Sequence, residues 1–175
     1  AGDQLSNDAV VAIVAFILVN LSPSNGKIRE KCSGLALDIV RKMSAAIRFV
    51  DFFPKNGRLA VGTSSGAICL YDVKTATEWA VLEGHTSTVS LISYAPDGKL
   101  FASYSASTRD FRVWDLEPGL LGFFGAAQPR CLHHKISPFP DRLFDPLTSS
   151  IRWEKAQGVV LLQVAAGCDP FPVQI

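Results

Sequence analysis

His85, Ser103 and Asp110 are the residue types of an acyl-transfer triad, and Trp114 follows four residues after the Asp. In such a triad the Ser hydroxyl attacks, the His takes its proton and the Asp orients the imidazole. That chemistry also needs an oxyanion-holding loop or a strained nucleophile elbow, and neither accompanies Ser103 or Ser105. Cys131, His133 and His134 are zinc-binding types, but tetrahedral zinc needs a second pair arriving from another turn, and none follows. Gly57, Gly62 and Gly66 punctuate strand ends, with no Gly-Lys-Ser/Thr to cradle a phosphate. Asp97 lies in Pro-Asp-Gly, and Asp141, Asp145 and Asp169 each adjoin a proline, which is turn chemistry. The residues thus predict no catalytic site, no cofactor and no metal.

Composition narrows the partners. Of 175 residues, 48% are hydrophobic and 19% charged, and 17 Lys+Arg against 16 Asp+Glu leave a net charge of +1. Such a chain can bury a core, and it has no basic field for nucleic acid. A histone-like binder, a collagen-like fibre and a disulfide-rich secreted scaffold are all excluded. The shortage of charge predicts that part of the surface is covered by other protein. Cys32, Cys69, Cys131 and Cys168 form no Cys-x-x-Cys pair, which predicts free thiols in a reducing, cytoplasmic compartment.

Two periods divide the chain. Ala9 to Leu21, AVVAIVAFILVNL, is apolar on all sides. It falls short of the roughly 20 residues that span a bilayer, so it reads as a helix buried in protein. No Lys or Arg precedes Lys27, so the basic flank of a signal peptide is missing. From Lys27 to Met43 a stripe of Ile28, Cys32, Leu35, Ile39 and Met43 recurs at helical spacing. Residues 1–45 therefore read as a helical hairpin, the end of an α-solenoid-like region.

Beyond Ser44 short strands alternate with turns: Ile47–Phe53, Arg58–Gly62, Ala67–Tyr71 and Glu78–Leu82, then Val89–Tyr94, Leu100–Tyr104 and Phe111–Trp114. Pro54 to Pro96 is 42 residues, Gly57 to Gly98 is 41, and Tyr71-Asp72 to Trp114-Asp115 is 43. A period of about 40–45 residues with four strands per unit is the pattern of propeller blades. Leu120–Phe124 and Arg130–Ile136 are candidate outer strands of the second unit. Ser150–Trp153, Val159–Val164 and Phe171–Ile175 make a third, degenerate one.

Gly84-His85 followed by Trp114-Asp115 resembles the WD-repeat family, whose units carry Gly-His and Trp-Asp in this order. The resemblance implies a structural hydrogen-bonded network of His85, Ser103 (or Ser105, on the same strand face) and Trp114, beside the signature Asp115. The family's Asp, six residues before the Trp, is Thr108 here, and Asp110 comes two places later. The link between the second and third strands is two residues longer than in the first unit, so the network is expected open or rearranged. The fold class expected is mainly β with an N-terminal helical hairpin: a partial WD-repeat propeller over residues 46–175, with two clear blades and one degenerate blade after a solenoid end.

A closer likeness, over Arg58 to Cys131, is to the C-terminal repeats of the rabconnectin family. It is carried by Leu-Ala-Val-Gly62, Ala67-Ile-Cys-Leu-Tyr-Asp72, Leu82-Glu-Gly-His85, Ala95-Pro-Asp-Gly-Lys99 and Ala102-Ser-Tyr-Ser105. More particular to that family are Leu120-Leu-Gly122 and Pro129-Arg-Cys131. Phe123-Phe124 and the short Pro-rich link before Leu143 depart from it. The likeness implies a cytosolic scaffold that works with a partner scaffold on the vacuolar proton-pumping ATPase, peripheral to vesicle or endolysosomal membranes. The residues allow equally an adaptor in trafficking, ubiquitin ligation or RNA processing. Two open blade faces further predict that upstream blades or a partner chain complete the ring, and that 1–175 is the remainder of a longer polypeptide.

Overall fold

Short runs of β-branched and aromatic residues, broken by glycine-bearing turns, set the chain into antiparallel ladders. The computed structural model describes residues 47–53, 57–72, 75, 77–116, 129–154 and 158–175. The hairpin expected over residues 1–45 and the candidate strand 120–124 lie outside them. The first sheet runs in the order β1 (Ile47–Phe53), β2 (Arg58–Thr63), β3 (Ile68–Asp72), β4 (Thr77–Leu82). The second repeats the meander with β5 (Leu91–Tyr94), β6 (Leu100–Ser105), β7 (Asp110–Asp115) and β8 (Arg130–Ile136). The third has three strands, β9 (Ser150–Glu154), β10 (Val159–Gln163) and β11 (Phe171–Gln174). The helical content among the described residues is one 3-10 turn, Asp141–Leu143.

The sheets meet chiefly through their first strands, β1 against β5 and β5 against β9, as blades do around an axis. Two bonds tie these strands together. The Tyr94 amide donates to Asp51 Oδ2 at 2.8 Å, and the Trp153 indole to Ser93 Oγ at 3.2 Å. Strand alternation then fills both gaps between sheets. Phe53, Ala60, Ile68 and Leu70 of the first sheet pack on Ile92, Tyr94, Phe101 and Trp114 of the second. Leu91, Tyr104, Phe111 and Val113, on the opposite face of the second sheet, pack on Val160, Leu162 and Val173 of the third.

One expected strand is shorter than its apolar pattern. Val89 and Ser90 precede β5, and the Val89 amide donates to the carbonyl of Thr63, the last residue of β2, at 3.0 Å. Val89 is buried between sheets and packs where Gly62 leaves room. Burial made it look like a strand residue, although its backbone ties two sheets together.

Gly66 closes the turn after β2 with φ of 95°, and a Cβ there would run into the His85 carbonyl. Gly66→Ala is expected to lower stability by about 1–3 kcal/mol, from left-handed strain and displacement of the 83–90 link. Urea unfolding checks this, and an unchanged midpoint would contradict it.

Candidate functional site

The polar residues singled out in the sequence converge where β6 and β7 face the first sheet. Ser103 on β6 and Arg112 on β7 are register partners, as are Phe101 and Trp114, so their side chains share one face. His85 reaches the same face from the link between sheets. Gly84 before it is squeezed: an added Cβ would meet Trp114 Cη2 at 3.1 Å and press on the Arg112 guanidinium. A larger residue before the His would have to displace the Arg112 guanidinium and crowd the Trp114 ring.

Three contacts then run in one direction. Trp114 Nε1 donates to Ser103 Oγ at 2.8 Å. Ser103 Oγ lies 2.7 Å from His85 Nε2. Having taken the indole proton as an acceptor, the hydroxyl has its own hydrogen free to donate to that nitrogen. His85 Nδ1 lies 3.0 Å from Asp110 Oδ2, near enough for strong attraction though off the line of a straight hydrogen bond. A carboxylate can only accept, which places the imidazole proton on Nδ1. Asp110 is shared further: Arg112 Nε donates to Oδ2 at 2.8 Å, and His134 Nε2 of β8 lies 2.8 Å from Oδ1.

The sequence puts Thr108 where the family has its Asp, with Asp110 two places later, and leaves the network open or rearranged. In the structure Asp110 faces His85, and Thr108 Oγ1 is buried without a hydrogen-bond partner. The longer link is absorbed by the turn 106–109, where Arg109 adopts a φ of 58° and its amide donates to the Ala106 carbonyl. The chain thereby re-enters the ladder with Asp110 opposite Ser105. Of the two candidate serines, Ser103 bridges the His and the Trp, while Ser105 Oγ is buried without a hydrogen-bond partner. Asp115 falls on the opposite face of β7 from Trp114, and its Oδ2 accepts from Arg130 Nη2 at 3.2 Å. The sequence did hold one signal for Asp110: it shares strand parity with Trp114, whereas a residue in the turn need not.

The geometry speaks against hydrolysis. Ser103 is fully buried, its hydroxyl is held by an indole and an imidazole, and the imidazole is itself enclosed. A nucleophile must meet a substrate carbonyl, and nothing can approach this one. Cys131, His133 and His134 lie along β8, with Cys131 Sγ directed to the His133 carbonyl and His134 to Asp110. Among the described residues no three His, Cys, Asp or Glu side chains gather to hold a metal. None of their helices is long and apolar enough to cross a membrane.

Burial pushes the Asp110 carboxyl up, but His85 and Arg112 beside it pull harder, leaving it below the usual carboxylate range. A carboxyl depressed in the fold stabilises the protein above its unfolded value of about 4 and loses that contribution as pH falls further. The unfolding temperature should therefore drop on acidification below about pH 4, and Asp110→Asn should flatten that drop. Asp145, held low by bonds from Thr148 and Leu147, leaves a residual slope in the variant. Identical acid profiles for the two proteins would contradict the assignment.

Residues 77–115, from β4 through β7, match the family model of the WD domain, G-beta repeat. That segment is a WD repeat. The chain is also 44% identical over 59 residues to a 66 kDa stress protein of Physarum polycephalum, a match covering 33% of this chain and 10% of that protein. It is 39% identical over 59 residues to WD repeat and SOCS box-containing protein 1 of Takifugu rubripes, covering 34% of this chain and 14% of that one. Pre-mRNA-processing factor 19 homolog 2 of Arabidopsis thaliana is 35% identical over 65 residues, covering 37% of this chain and 12% of the relative. The matched stretches thus span only a small part of these curated relatives. Among solved structures, the Cps50 (Swd1) β-propeller domain of Myceliophteria thermophila superposes with a TM-score of 0.53 at 18% identity, over 74% of this chain and 36% of that one. The described sheets thus share the fold of propeller blades.

Proposed function

We infer that this chain is a non-catalytic WD-repeat scaffold whose exposed strands and loops hold other protein subunits. The observation that carries the reading is the sealed His85–Ser103–Trp114 network with Asp110, which uses for cohesion the residues that could otherwise do chemistry. With these groups inside, the described residues offer partners the outer strand β8, exposed along almost its whole length, and the loops at the sheet ends.

The particular complex is read from sequence likeness. Leu120-Leu-Gly122 and Pro129-Arg-Cys131 after the Trp-Asp pair resemble rabconnectin-3 beta. On that reading, residues 1–45 are the end of a helical solenoid and 46–175 the propeller blades that follow it. The parent protein would assist assembly of the vacuolar proton-pumping ATPase beside a partner scaffold, on the cytoplasmic face of vesicles. Affinity purification of the tagged parent protein tests it. Recovery of pump subunits in stable proportion is the expected result. Recovery of trafficking, ubiquitin-ligase or RNA-processing subunits with no pump subunit would overturn the pump assignment and leave the scaffold. Turnover of a substrate that is lost in Ser103→Ala would overturn the scaffold itself.

A further inference from the structure

The alternation of backbone bonds decides which sheet edges can take another strand. In an antiparallel ladder every second residue turns its N–H and C=O away from its neighbour. β8 ends the order of the second sheet. The amide of Ser137, just past β8, donates to the Arg109 carbonyl at 2.7 Å, one step beyond the pair Asp110–Ile136. Lys135 and His133 therefore bond to β7, while His134 and Ile136 aim their N–H and C=O at the outer edge. Among the described residues no strand pairs with them there. The third sheet ends differently. The Ile175 amide donates to the Gly158 carbonyl at 2.9 Å, one step beyond the pair Val159–Gln174. By the same count Pro172 of β11 stands at an outward position, where it has no N–H to give. One edge is blunted and the other is open.

We propose that the open edge of β8 binds an extended segment of a partner protein in which acidic residues alternate with apolar ones. The proposal rests on the scaffold reading and gives it a docking strand. The side chains along this edge are exposed, Leu132 at 38% and Ile136 at 52%. An added strand takes its main-chain bonds from His134 and Ile136, and the side chains beside it set its sequence. Its residue opposite Ile136 meets an apolar neighbour. The next residue turns to the other face, where Lys135 stands. β8 contains Arg130 and Lys135 and no acid, and Arg109 is exposed at its Ser137 end. Arg130 is held by Asp115 at 3.2 Å, so Lys135 is the cation placed to choose the incoming charge. Opposite charges on adjacent strands attract and like charges repel. An acidic strand is therefore favoured over a second copy of β8, which would lay one cationic strand beside another.

The test selects phage-displayed random heptapeptides on the immobilised full chain. The expected peptides alternate acidic with apolar residues, and adding one slows amide exchange at His134 and Ile136. Ile136→Pro removes an outward N–H without touching the ladder to β7, and should weaken these peptides by about tenfold. Lys135→Glu changes an exposed residue and keeps the test available if the proline unfolds the chain; it should reject the acidic peptides. No enriched peptide, peptides without acids, or peptides that bind both variants as well as the parent sequence would overturn the proposal. So would a dimer of the chain that Ile136→Pro dissolves, which would make a second copy the occupant. Slow exchange of the His134 and Ile136 amides before any peptide is added would also overturn it, since the edge would already be covered. Each of these failures leaves the scaffold reading standing on its loops, because that reading is tested separately by the subunits recovered with the parent protein.

Discussion

Trp114→Ala is expected to lower unfolding stability by about 3–5 kcal/mol, the cost of emptying a large core site. The ring is 3% exposed, stacks on Phe101 with centroids 6.0 Å apart, and holds Ser103 through its indole nitrogen. Truncation would remove the packing and strand the buried Ser103 and His85 at once. Domains of this size have about 5–15 kcal/mol in total, so the variant should sit near the edge of folding. Trp114→Phe separates the two contributions, since it keeps most of the apolar area and loses the donor. Its expected cost is about 1–3 kcal/mol, that of a buried acceptor left short of a partner. Chemical denaturation of both variants reads the difference. A neutral Trp114→Ala would mean that β7 does not turn this side chain inward.

Asp110→Ala should rank next, at about 3 kcal/mol. The carboxylate is buried beside an enclosed imidazole and a mostly buried guanidinium, and removing one partner of a buried charge pair leaves the other uncompensated. The contact with His134, whose side chain is half exposed, adds little because water screens it. Thr108→Val supplies the contrast. The Thr108 hydroxyl is buried without a hydrogen-bond partner, so removing it should be neutral or slightly stabilising. Both are read by urea denaturation. If Thr108→Val proves the costly change and Asp110→Ala the mild one, the acid of the network has been assigned to the wrong residue.

That contrast also marks where the sequence was legible. Arg58–Gly62 and Ala67–Tyr71 are close to β2 and β3 because short apolar runs punctuated by Gly57, Gly62 and Gly66 leave few other solutions, and the interval of 41 to 43 residues set the second meander beside the first. His85, Ser103 and Trp114 were findable because the spacing of the unit carries them to one strand face. Asp110 was not. Its place depends on how the turn 106–109 takes up two extra residues, and that rests on Arg109 entering a conformation unusual for a side-chain-bearing residue. Val89 misled for a related reason. It is buried like a strand residue, but its amide answers the carbonyl of Thr63 across the gap between sheets. Local pattern reports which side chains are buried, whereas the bonding partner of a backbone group is decided by neighbours distant in sequence.

The central claim is that the would-be catalytic residues are a sealed internal tie. Hydrogen exchange of the Trp114 indole proton tests it most directly, because that proton is the first link of the chain from Trp114 through Ser103 to His85. The account predicts that this proton exchanges only when the whole unit unfolds, with the same free energy as the slowest amides of β6 and β7. Exchange at the rate of a solvent-exposed indole, while those amides stay protected, would contradict it and reopen Ser103 and His85 as groups accessible to a substrate.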